Sequence, residues 1–319
     1  MRLSRLPPIC APDKGNDYFV IFVKFICPTE GAFVGENPEG EAVPEMKTVF
    51  ISYANEAMAW SLRRIGRQAR RLGIFDEVRL YTPADLPEYA RRSPLMAAPR
   101  GAGYWFWKPV MIKETLESLD EGDVVVYVDA GCTLRQSTDW KEYLGLMDSY
   151  DTVCFQYAKD HPEWEKLGAT SSEMYHWTKK TARDYVVARF GEDSMHYCQV
   201  MGGILFMKGK DNSFLREWLK IMLERPDLID DPSPDEPQCE GFAAHRHDQA
   251  FITPLALNDP SVKVLPEKSE SYSPDSFVWA SRIRAASFGE YIGIQIRHYL
   301  RIWLGDKRFN NIKRRLRLG

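Results

Sequence analysis

The 319-residue chain lacks several features that define whole classes of protein. It has no run of about 18 uncharged apolar residues, the length that a membrane-spanning helix needs, so no such helix is predicted. Its six cysteines are scattered, without a C-x-x-C pair or the spacing of a zinc site. We therefore interpret them as reduced thiols in a cytoplasmic protein.

The glycine-rich loops of the common nucleotide-binding folds are also missing. A dinucleotide-binding fold needs G-x-G-x-x-G after its first strand, but TVFISYANEAM at 48–58 contains no glycine. The nearest approach to a phosphate-binding loop, GILFMKGKD at 203–211, has one residue too many and lacks the final Ser or Thr. A nucleotide would therefore have to bind without such a loop.

Composition and charge divide the chain into three parts. Residues 1–45 are rich in Pro, Gly and Glu, and we interpret them as a poorly ordered extension. Residues 46–281 form the predicted folded domain, which begins where Met46 leads directly into a strand pattern. Residues 282–319 form a tail with ten Lys or Arg residues and two acids, so the tail carries a net charge of +8 and the rest of the chain −11.

Strand-like and helix-like patterns alternate through the predicted domain. Short apolar runs predict strands at 48–54, 77–82, 123–130, 151–157, 202–208 and 262–266. Apolar residues at helical spacing predict helices at 58–73, 108–119, 212–225 and 248–257. This alternation predicts an α/β sandwich with a mainly parallel central sheet.

One predicted strand ends at a carboxylate. In DVVVYVDAGC, a run suited to burial on both faces of a sheet leads directly into Asp129. Ligands of open α/β sheets bind outside the carboxyl ends of the strands, and a buried carboxylate needs a hydrogen-bond donor or a cation. The small residues Ala130 and Gly131 would let a ligand approach closely. A strand-end Asp that caps the next turn is the alternative interpretation.

Four segments in this order resemble bacterial glycosyltransferases of the GT-A type, the kind encoded with capsule and exopolysaccharide genes. They are GYWFWKP at 103–109, GDVVVYVDAGC at 122–132, MGGILFMKG at 201–209 and RHDQAFIT at 246–253. The resemblance covers roughly residues 47–280 and implies a Rossmann-like nucleotide-diphospho-sugar transferase fold. Such enzymes move a sugar from a nucleotide-diphosphate donor to an acceptor hydroxyl, usually with Mn or Mg.

The resemblance implies a donor site at the end of this strand. Asp129 matches the first acid of an Asp-x-Asp element that meets the donor ribose and a divalent ion, with Ala130 and Gly131 beside the donor. Gly131 stands where the second acid would be. The diphosphate itself could supply the missing oxygen ligands of an Mn or Mg cofactor bound at Asp129, or Lys108 could take over part of the charge neutralisation.

The aromatic segment before the second predicted helix supplies further candidates for donor binding. Tyr104, Trp105 and Trp107 suit stacking on a base or a sugar face, and Lys108 could approach a diphosphate. Packing in the core is the alternative for the aromatic residues, and for Phe106 it is the preferred one. A solvated surface charge is the alternative for Lys108.

The resemblance also implies an acceptor side. Gly202 and Gly203 match a small-residue turn before a strand, where a sugar lies against the backbone. Asp248 matches an acid near the acceptor hydroxyl and would be the general base of an inverting enzyme, with His247 and Gln249 as sugar contacts. In a retaining enzyme Asp248 would only orient a sugar. An N-cap of the following helix is the alternative for Asp248, and a polar loop is preferred over a metal pair for His245 and His247.

The basic tail predicts contact with an anionic membrane surface through residues 282–319. Ile292, Ile296, Tyr299, Leu300 and Trp303 lie at helical spacing beside basic residues, as in helices that lie on anionic lipid. Packing on the domain is the alternative. The net charge of −11 on the rest of the chain argues against nucleic acid as a partner. We expect a cytoplasmic protein located peripherally at the inner face of the cytoplasmic membrane.

These observations predict a hexosyltransferase-like glycosyltransferase in cell-surface polysaccharide synthesis. It would move a sugar from a nucleotide-diphosphate sugar to a hydroxyl of a glycan or lipid-linked acceptor. The first alternative is a non-catalytic nucleotide- or sugar-binding protein that keeps the fold with a degenerate site. The second is a metal-dependent hydrolase of phosphate esters.

Overall fold

A computed structural model describes residues 46–160, 162–270 and 273–304, without the side chains of 162–163 and 298–304. The predicted extension at 1–45 and the end of the tail at 305–319 lie outside the described residues. The four described cysteines, Cys132, Cys154, Cys198 and Cys239, carry free thiols.

Eight strands form two sheets in this part of the chain. The central sheet has six strands in the order β2-β1-β3-β6-β5-β7, and β4 pairs with β8 in a small second sheet. The strands are β1 (Thr48–Tyr53), β2 (Glu77–Tyr81), β3 (Val124–Val128), β4 (Thr133–Leu134), β5 (Thr152–Gln156), β6 (Val200–Lys208), β7 (Val262–Pro266) and β8 (Val278–Trp279).

The central sheet is mainly parallel, as the alternating pattern predicts. Strand β6 is the exception, because it pairs antiparallel with both β3 and β5, whereas the other neighbouring strands are parallel. Its direction brings the first residues of β6 beside the carboxyl end of β3, where Val128 pairs with Ile204. Two glycines of β6 therefore lie next to the strand-end carboxylate.

Helices cover both faces of the central sheet. The predicted strands and helices agree with the observed elements within two residues at each end. The helices are α1 (Ala59–Leu72), α2 (Glu88–Arg91), α3 (Gly101–Tyr104), α4 (Trp107–Glu117), α5 (Asp139–Leu146), α6 (Pro162–Lys166), α7 (Met174–Trp177), α8 (Lys180–Phe190), α9 (Ser213–Glu224), α10 (Gln249–Asn258) and α11 (Phe288–Leu304).

The sheet separates two apolar clusters, and β3 contributes to both. Val125 and Tyr127 pack in the cluster that includes apolar residues of α4, α8, α9 and α10. The alternate residues Val124, Val126 and Val128 pack in the cluster formed with α1 and α5. Every residue of β3 is buried, and each buried valine contributes about 1.5–3 kcal/mol relative to an exposed one. This strand is therefore a rigid support for the residue that follows it.

The tail includes a helix, α11, that packs on the domain from its first turn onward. The ring of Phe288 lies 5.1 Å and that of Tyr291 6.3 Å from the ring of Trp60 on α1, measured between centroids. Phe288 and Ile296 nevertheless remain 56% and 53% exposed. Within the described residues, none of the helices combines the length and apolarity needed to cross a membrane.

Candidate active site

A cleft of about 280 Å³ opens at the carboxyl end of β3. Its wall comes from the start of α4, the residues after β3, the start of β6 and the start of α10. All but one of the predicted site residues line it, namely Trp107, Lys108, Asp129, Ala130, Gly131, Gly202, Gly203, His247, Asp248 and Gln249. The fold thus brings together residues that are up to 142 positions apart in the sequence.

Lys108 lies at the centre of this cleft rather than on the surface. Its side chain is 3% exposed, and Nζ donates a hydrogen bond of 2.7 Å to the carbonyl oxygen of Gly202. The same atom lies 3.4 Å from Oδ2 of Asp248 and 3.7 Å from Oδ1 of Asp129. One buried ammonium group therefore joins the two predicted carboxylates, which excludes the alternative of a solvated lysine.

Asp129 has one side of its carboxylate fixed and the other open. Its Oδ1 accepts a short hydrogen bond from the hydroxyl of Tyr127, and its backbone N–H donates to the carbonyl oxygen of Gly203 over 2.9 Å. Burial and the neighbouring Asp129 raise the pKa of Tyr127 well above its usual range, so this hydroxyl stays protonated and donates. The Asp129 side chain is 41% exposed and can accept hydrogen bonds from a ligand.

Asp248 is both a helix cap and a partner of Lys108. Its Oδ1 accepts a hydrogen bond of 3.0 Å from the backbone N–H of Gln249 at the start of α10, while Oδ2 faces Lys108. The side chain is 5% exposed. Burial raises the pKa of Asp248, and the charge of Lys108 partly offsets that rise. A carboxylate with a raised pKa is a better proton acceptor than an ordinary one.

Gly202 and Gly203 belong to β6 and do not form a turn before it, which corrects the predicted position. Their missing side chains leave room for the charged groups of the protein itself. A Cβ atom at Gly203 would lie 3.0 Å from Oδ2 of Asp129, and one at Gly202 would lie 3.3 Å from Oδ2 of Asp248 and 3.4 Å from Nζ of Lys108. A side chain at either glycine would therefore force the adjacent carboxylate to move by a few tenths of an ångström. The predicted contact of the two glycines with a sugar stays a prediction.

Gly131 likewise makes room for the protein backbone. A Cβ atom there would lie 3.4 Å from the carbonyl oxygen of Ile283 and 3.5 Å from Cα of Arg282. The N–H of Ile283 donates to the carbonyl oxygen of Gly131 over 2.9 Å, and Ser281 Oγ reaches the same oxygen over 3.2 Å. Much of the space beside Gly131 therefore holds the chain at 281–283, while Gly131 also lines the cleft, and its predicted contact with a donor stays a prediction.

An unusual left-handed turn positions the aromatic residues before α4. Five consecutive residues, 101–105, have φ between 50° and 101°. The turn places Trp105 in the cleft wall and Tyr104 behind His247, outside the lining, and the predicted donor contact of Tyr104 stays a prediction. The hydroxyl of Tyr104 instead donates to Asp231 over 2.9 Å. Trp107 is 5% exposed and stacks on Tyr53 at a centroid distance of 4.0 Å.

The two histidines before α10 are buried and form hydrogen bonds to the backbone of the protein. In His245, Nδ1 accepts from the N–H of Lys179 over 3.3 Å and Nε2 donates to the carbonyl oxygen of Leu228 over 2.9 Å. In His247, Nδ1 lies 2.7 Å from the carbonyl oxygen of Ile229, which can only accept, so Nδ1 carries the proton. Burial lowers the pKa of His247 to about 4, and its ring is neutral at pH 7.

Backbone strain is concentrated at this cleft. Each non-glycine residue in the left-handed region costs about 1–2 kcal/mol. Among the described residues, the non-glycine residues with positive φ are all in or beside the cleft, namely Ala102, Tyr104, Trp105, His247 and Arg282. Such outliers cluster at ligand and catalytic sites, where surrounding contacts hold them in place. The strain therefore points to this cleft independently of the predicted residues.

Four arginines in the cleft wall were not among the predicted site residues. They are Arg100, Arg246, Arg282 and Arg284. Arg282 and Arg284 were counted with the basic tail, because in the sequence they look like its first charges. The chain at 281–285 is instead bound to the domain, where Ser61 Oγ donates to the carbonyl oxygen of Ile283 over 2.8 Å. The sequence signal was present in RHDQ, which places Arg246 two residues before the predicted Asp248.

The side chains of the cleft do not form a set of ligands that fits a divalent metal ion. Mn and Mg prefer several oxygen ligands, yet the described residues contain no group of three His, Cys, Asp or Glu side chains that could hold a metal. The position between the Asp129 and Asp248 carboxylates is taken by the ammonium group of Lys108. A dication bridging the two carboxylates would meet that charge at close range.

Comparisons with known proteins give weak structural similarities. No protein-family model matches the chain, and no curated protein does. A glycosyltransferase involved in glycosylation of the major capsid of the virus PBCV-1 matches with a TM-score of 0.43 and 7% identity, over 78% of this chain and 99% of that one. Mouse xyloside xylosyltransferase 1 matches with a TM-score of 0.35 and 10% identity, over 69% and 84%. The galactosyltransferase LgtC, in complex with donor and acceptor sugar analogs, matches with a TM-score of 0.33 and 12% identity, over 68% and 72%.

Proposed function

We propose that this protein is a GT-A type glycosyltransferase that moves a sugar from a nucleotide-diphosphate sugar to a hydroxyl of a glycan or lipid-linked acceptor. The observation that carries the proposal is the pair of carboxylates, Asp129 and Asp248, joined by Lys108 at the carboxyl end of β3. Asp129 is open to the cleft and suits the hydroxyls of a donor ribose. Asp248 is buried beside it, has a raised pKa and suits proton removal from an acceptor hydroxyl.

The other residues of the cleft support the same assignment. Trp105 offers an aromatic face in the wall, which suits stacking on a base or a sugar. The cleft also has a surplus of cationic side chains, which suits a diphosphate. The left-handed turn at 101–105 holds this wall in one geometry, so a ligand would meet a preorganised site.

The decisive experiment measures turnover and binding separately. The full chain would be incubated with nucleotide-diphosphate sugars of uracil, guanine, cytosine and adenine, with and without acceptor sugars, and release of the nucleoside diphosphate followed by NMR. Release that depends on the acceptor and is lost in Asp248→Asn is the expected result. Binding of a nucleotide sugar without any turnover would favour the non-catalytic binding protein with a degenerate site. Release of phosphate from generic phosphate esters would favour the hydrolase.

We further propose that the acceptor belongs to cell-surface polysaccharide synthesis and that the tail brings the enzyme to an anionic membrane surface. The exposed side chains of Phe288 and Ile296 on α11 support this, together with the basic residues at 305–319 in the sequence. Deletion of 305–319 preserves Arg282 and Arg284 in the cleft. The shortened chain should no longer sediment with phosphatidylserine vesicles, and unchanged sedimentation would contradict membrane docking through this segment.

A further inference from the structure

The cleft has the opposite charge balance to the chain as a whole. The full sequence carries a formal charge of −3, but the cleft is lined by five cations and three carboxylates. The cations are Lys108 and four arginines, and the carboxylates are Asp129, Asp248 and Glu270. Because the histidine in the wall is neutral at pH 7, the lining has a surplus of two positive charges.

Three of these cations already have acidic partners. Lys108 lies between its two carboxylates, Arg100 lies 3.3 Å from Asp231, and Arg282 lies 2.7 Å from Glu270. These pairs hold the side chains in place around the cleft. They do not neutralise the remaining two arginines of the lining.

Arg246 and Arg284 form no ion pair in the part of the chain that the structure describes. The guanidinium group of Arg246 lies over the ring of Trp177 at 4.5 Å, and its buried Nε atom has no hydrogen-bond partner. Arg284 is exposed at the cleft wall. A partly buried guanidinium group without a counter-charge is costly, so this arrangement suits a site that receives an anion.

The backbone near both arginines is in a strained conformation. His247 follows Arg246 directly and has φ of 46°, while Arg282, two residues before Arg284, has φ of 49°. The two strained positions thus adjoin the two unpaired arginines. Strain of this kind persists where neighbouring contacts fix the chain, here the hydrogen bonds of Ile229 to His247 and of Gly131 to Ile283.

We propose that the cleft binds the diphosphate of a nucleotide through Arg246 and Arg284, with Lys108 fixed between the carboxylates, and that this binding needs no divalent metal ion. The inference rests on the proposed function and assigns the charge-neutralising role to side chains of the protein. Guanidinium groups match phosphate oxygens with two parallel hydrogen bonds, so two arginines can hold both phosphates of a diphosphate. Such binding would also explain why the cleft lacks a set of side chains suited to a metal ion.

Isothermal titration calorimetry on the full chain tests this with UDP, GDP, CDP and ADP, each in EDTA and in MnCl₂. We expect at least one of them to bind with Kd values that agree within about threefold between the two conditions. Arg246→Gln and Arg284→Gln should each weaken that binding by about tenfold or more, because each removes a charge-assisted hydrogen bond. Arg91→Gln, which removes an exposed arginine of α2 outside the cleft, is the matched control and should bind as the unmodified protein does.

The other outcomes separate this inference from the proposed function. Binding only in MnCl₂ would overturn the metal-free site and leave the transferase proposal intact. Binding in EDTA that both arginine variants retain in full would overturn the assignment of these residues. Absence of binding by any of the four nucleotides in both conditions would overturn the proposed function and this inference with it.

Discussion

The end of β3 and the start of α10 each present a carboxylate to Lys108, but they do so in different surroundings. Asp129, after β3, is 41% exposed and accepts a hydrogen bond from Tyr127. Asp248, before α10, is 5% exposed and caps the helix through the N–H of Gln249. The start of α10 also buries the neutral ring of His247. One region is open to solvent, and the other is largely dehydrated.

This difference in exposure indicates how two carboxylates can have different roles, one in ligand binding and one in proton transfer. An exposed carboxylate keeps its charge at low cost and can exchange water for ligand hydroxyls. A buried carboxylate loses hydration, and burial therefore raises the pKa of Asp248. Lys108 fixes the position of the two carboxylates relative to each other, since its Nζ atom lies within 4 Å of both. We therefore expect the open region to determine donor binding and the buried region to determine the rate of proton transfer.

The largest expected effect comes from removing each carboxylate in turn. Asp248→Asn keeps an oxygen to cap α10 but cannot accept a proton, so kcat for sugar transfer should fall by about 10²–10⁴-fold with little change in donor KM. Asp129→Asn should mainly raise donor KM, because it weakens hydrogen bonds to the bound ligand. Steady-state kinetics, with the nucleotide sugar that the turnover experiment identifies as the donor, measures kcat and donor KM for both variants.

Asp184→Asn is the control for this pair of variants. Asp184 lies on α8, is 60% exposed and pairs with Lys180, so its replacement should change neither constant. The assignment of roles would be reversed if Asp129→Asn lowered kcat while Asp248→Asn changed only KM. Full activity in Asp248→Asn would remove the proposed base altogether.

A smaller effect concerns the pH dependence of stability at the start of α10. The pKa of His247 is about 4 in the folded chain and 6.5 in the reference state, so the unfolded chain binds more protons between these values. Stability should therefore fall as pH decreases from 6.5 towards 4. Between pH 7 and pH 5 this one residue should lower the free energy of unfolding by about 2 kcal/mol.

His247→Asn isolates that contribution. Asparagine tolerates the left-handed backbone at this position and can still donate to the carbonyl oxygen of Ile229, but it does not titrate. The free energy of unfolding of both proteins would be measured by urea denaturation at pH 5, 6 and 7. As the pH falls, the unmodified protein should lose about 2 kcal/mol more of this free energy than the variant does. His245 is present in both proteins, so its own titration cancels. Parallel pH curves would mean that His247 titrates in the folded chain as it does in the unfolded one, and would contradict the lowered pKa.

Local patterns in the sequence predicted the elements but not the contacts between them. The valine run of β3 and the periodic residues of α1 and α9 mark their elements because burial requires those patterns. The direction of β6 depends on how distant segments pack, and no local pattern encodes it. The alternation of strands and helices therefore predicted the sheet as mainly parallel without identifying its antiparallel strand.

The candidate site was predicted in part for the same reason. Asp129 was recognisable because a buried strand leads directly into it. The position of Lys108 depends on Gly202 and Asp248, which are 94 and 140 residues away in the sequence. The sequence alone therefore left a surface position for Lys108 as an alternative. Arg246 and Arg284 resemble ordinary surface arginines in the sequence. Only the folded chain places them beside the carboxylates.

The smallest expected effect comes from replacing the two glycines of β6, because each lies next to a different carboxylate. Gly203→Ala places Cβ 3.0 Å from Oδ2 of Asp129, whereas Gly202→Ala places it 3.2 Å from Cδ1 of Ile252 and 3.3 Å from Oδ2 of Asp248. Each contact is tight enough to shift the adjacent carboxylate by a few tenths of an ångström, at a cost of about 1 kcal/mol. Gly203→Ala should therefore raise donor KM about fivefold, and Gly202→Ala should lower kcat by a similar factor.

Gly145→Ala provides the matched control on α5, because a Cβ atom there meets nothing within 4 Å. It should leave both kinetic constants unchanged and raise the free energy of unfolding by about 0.5–1 kcal/mol through the lower helix propensity of glycine. If Gly202→Ala and Gly203→Ala changed the same constant, the two carboxylates would act as one unit around Lys108. Different constants would establish that the buried and the open carboxylate contribute separately, although one ammonium group joins them.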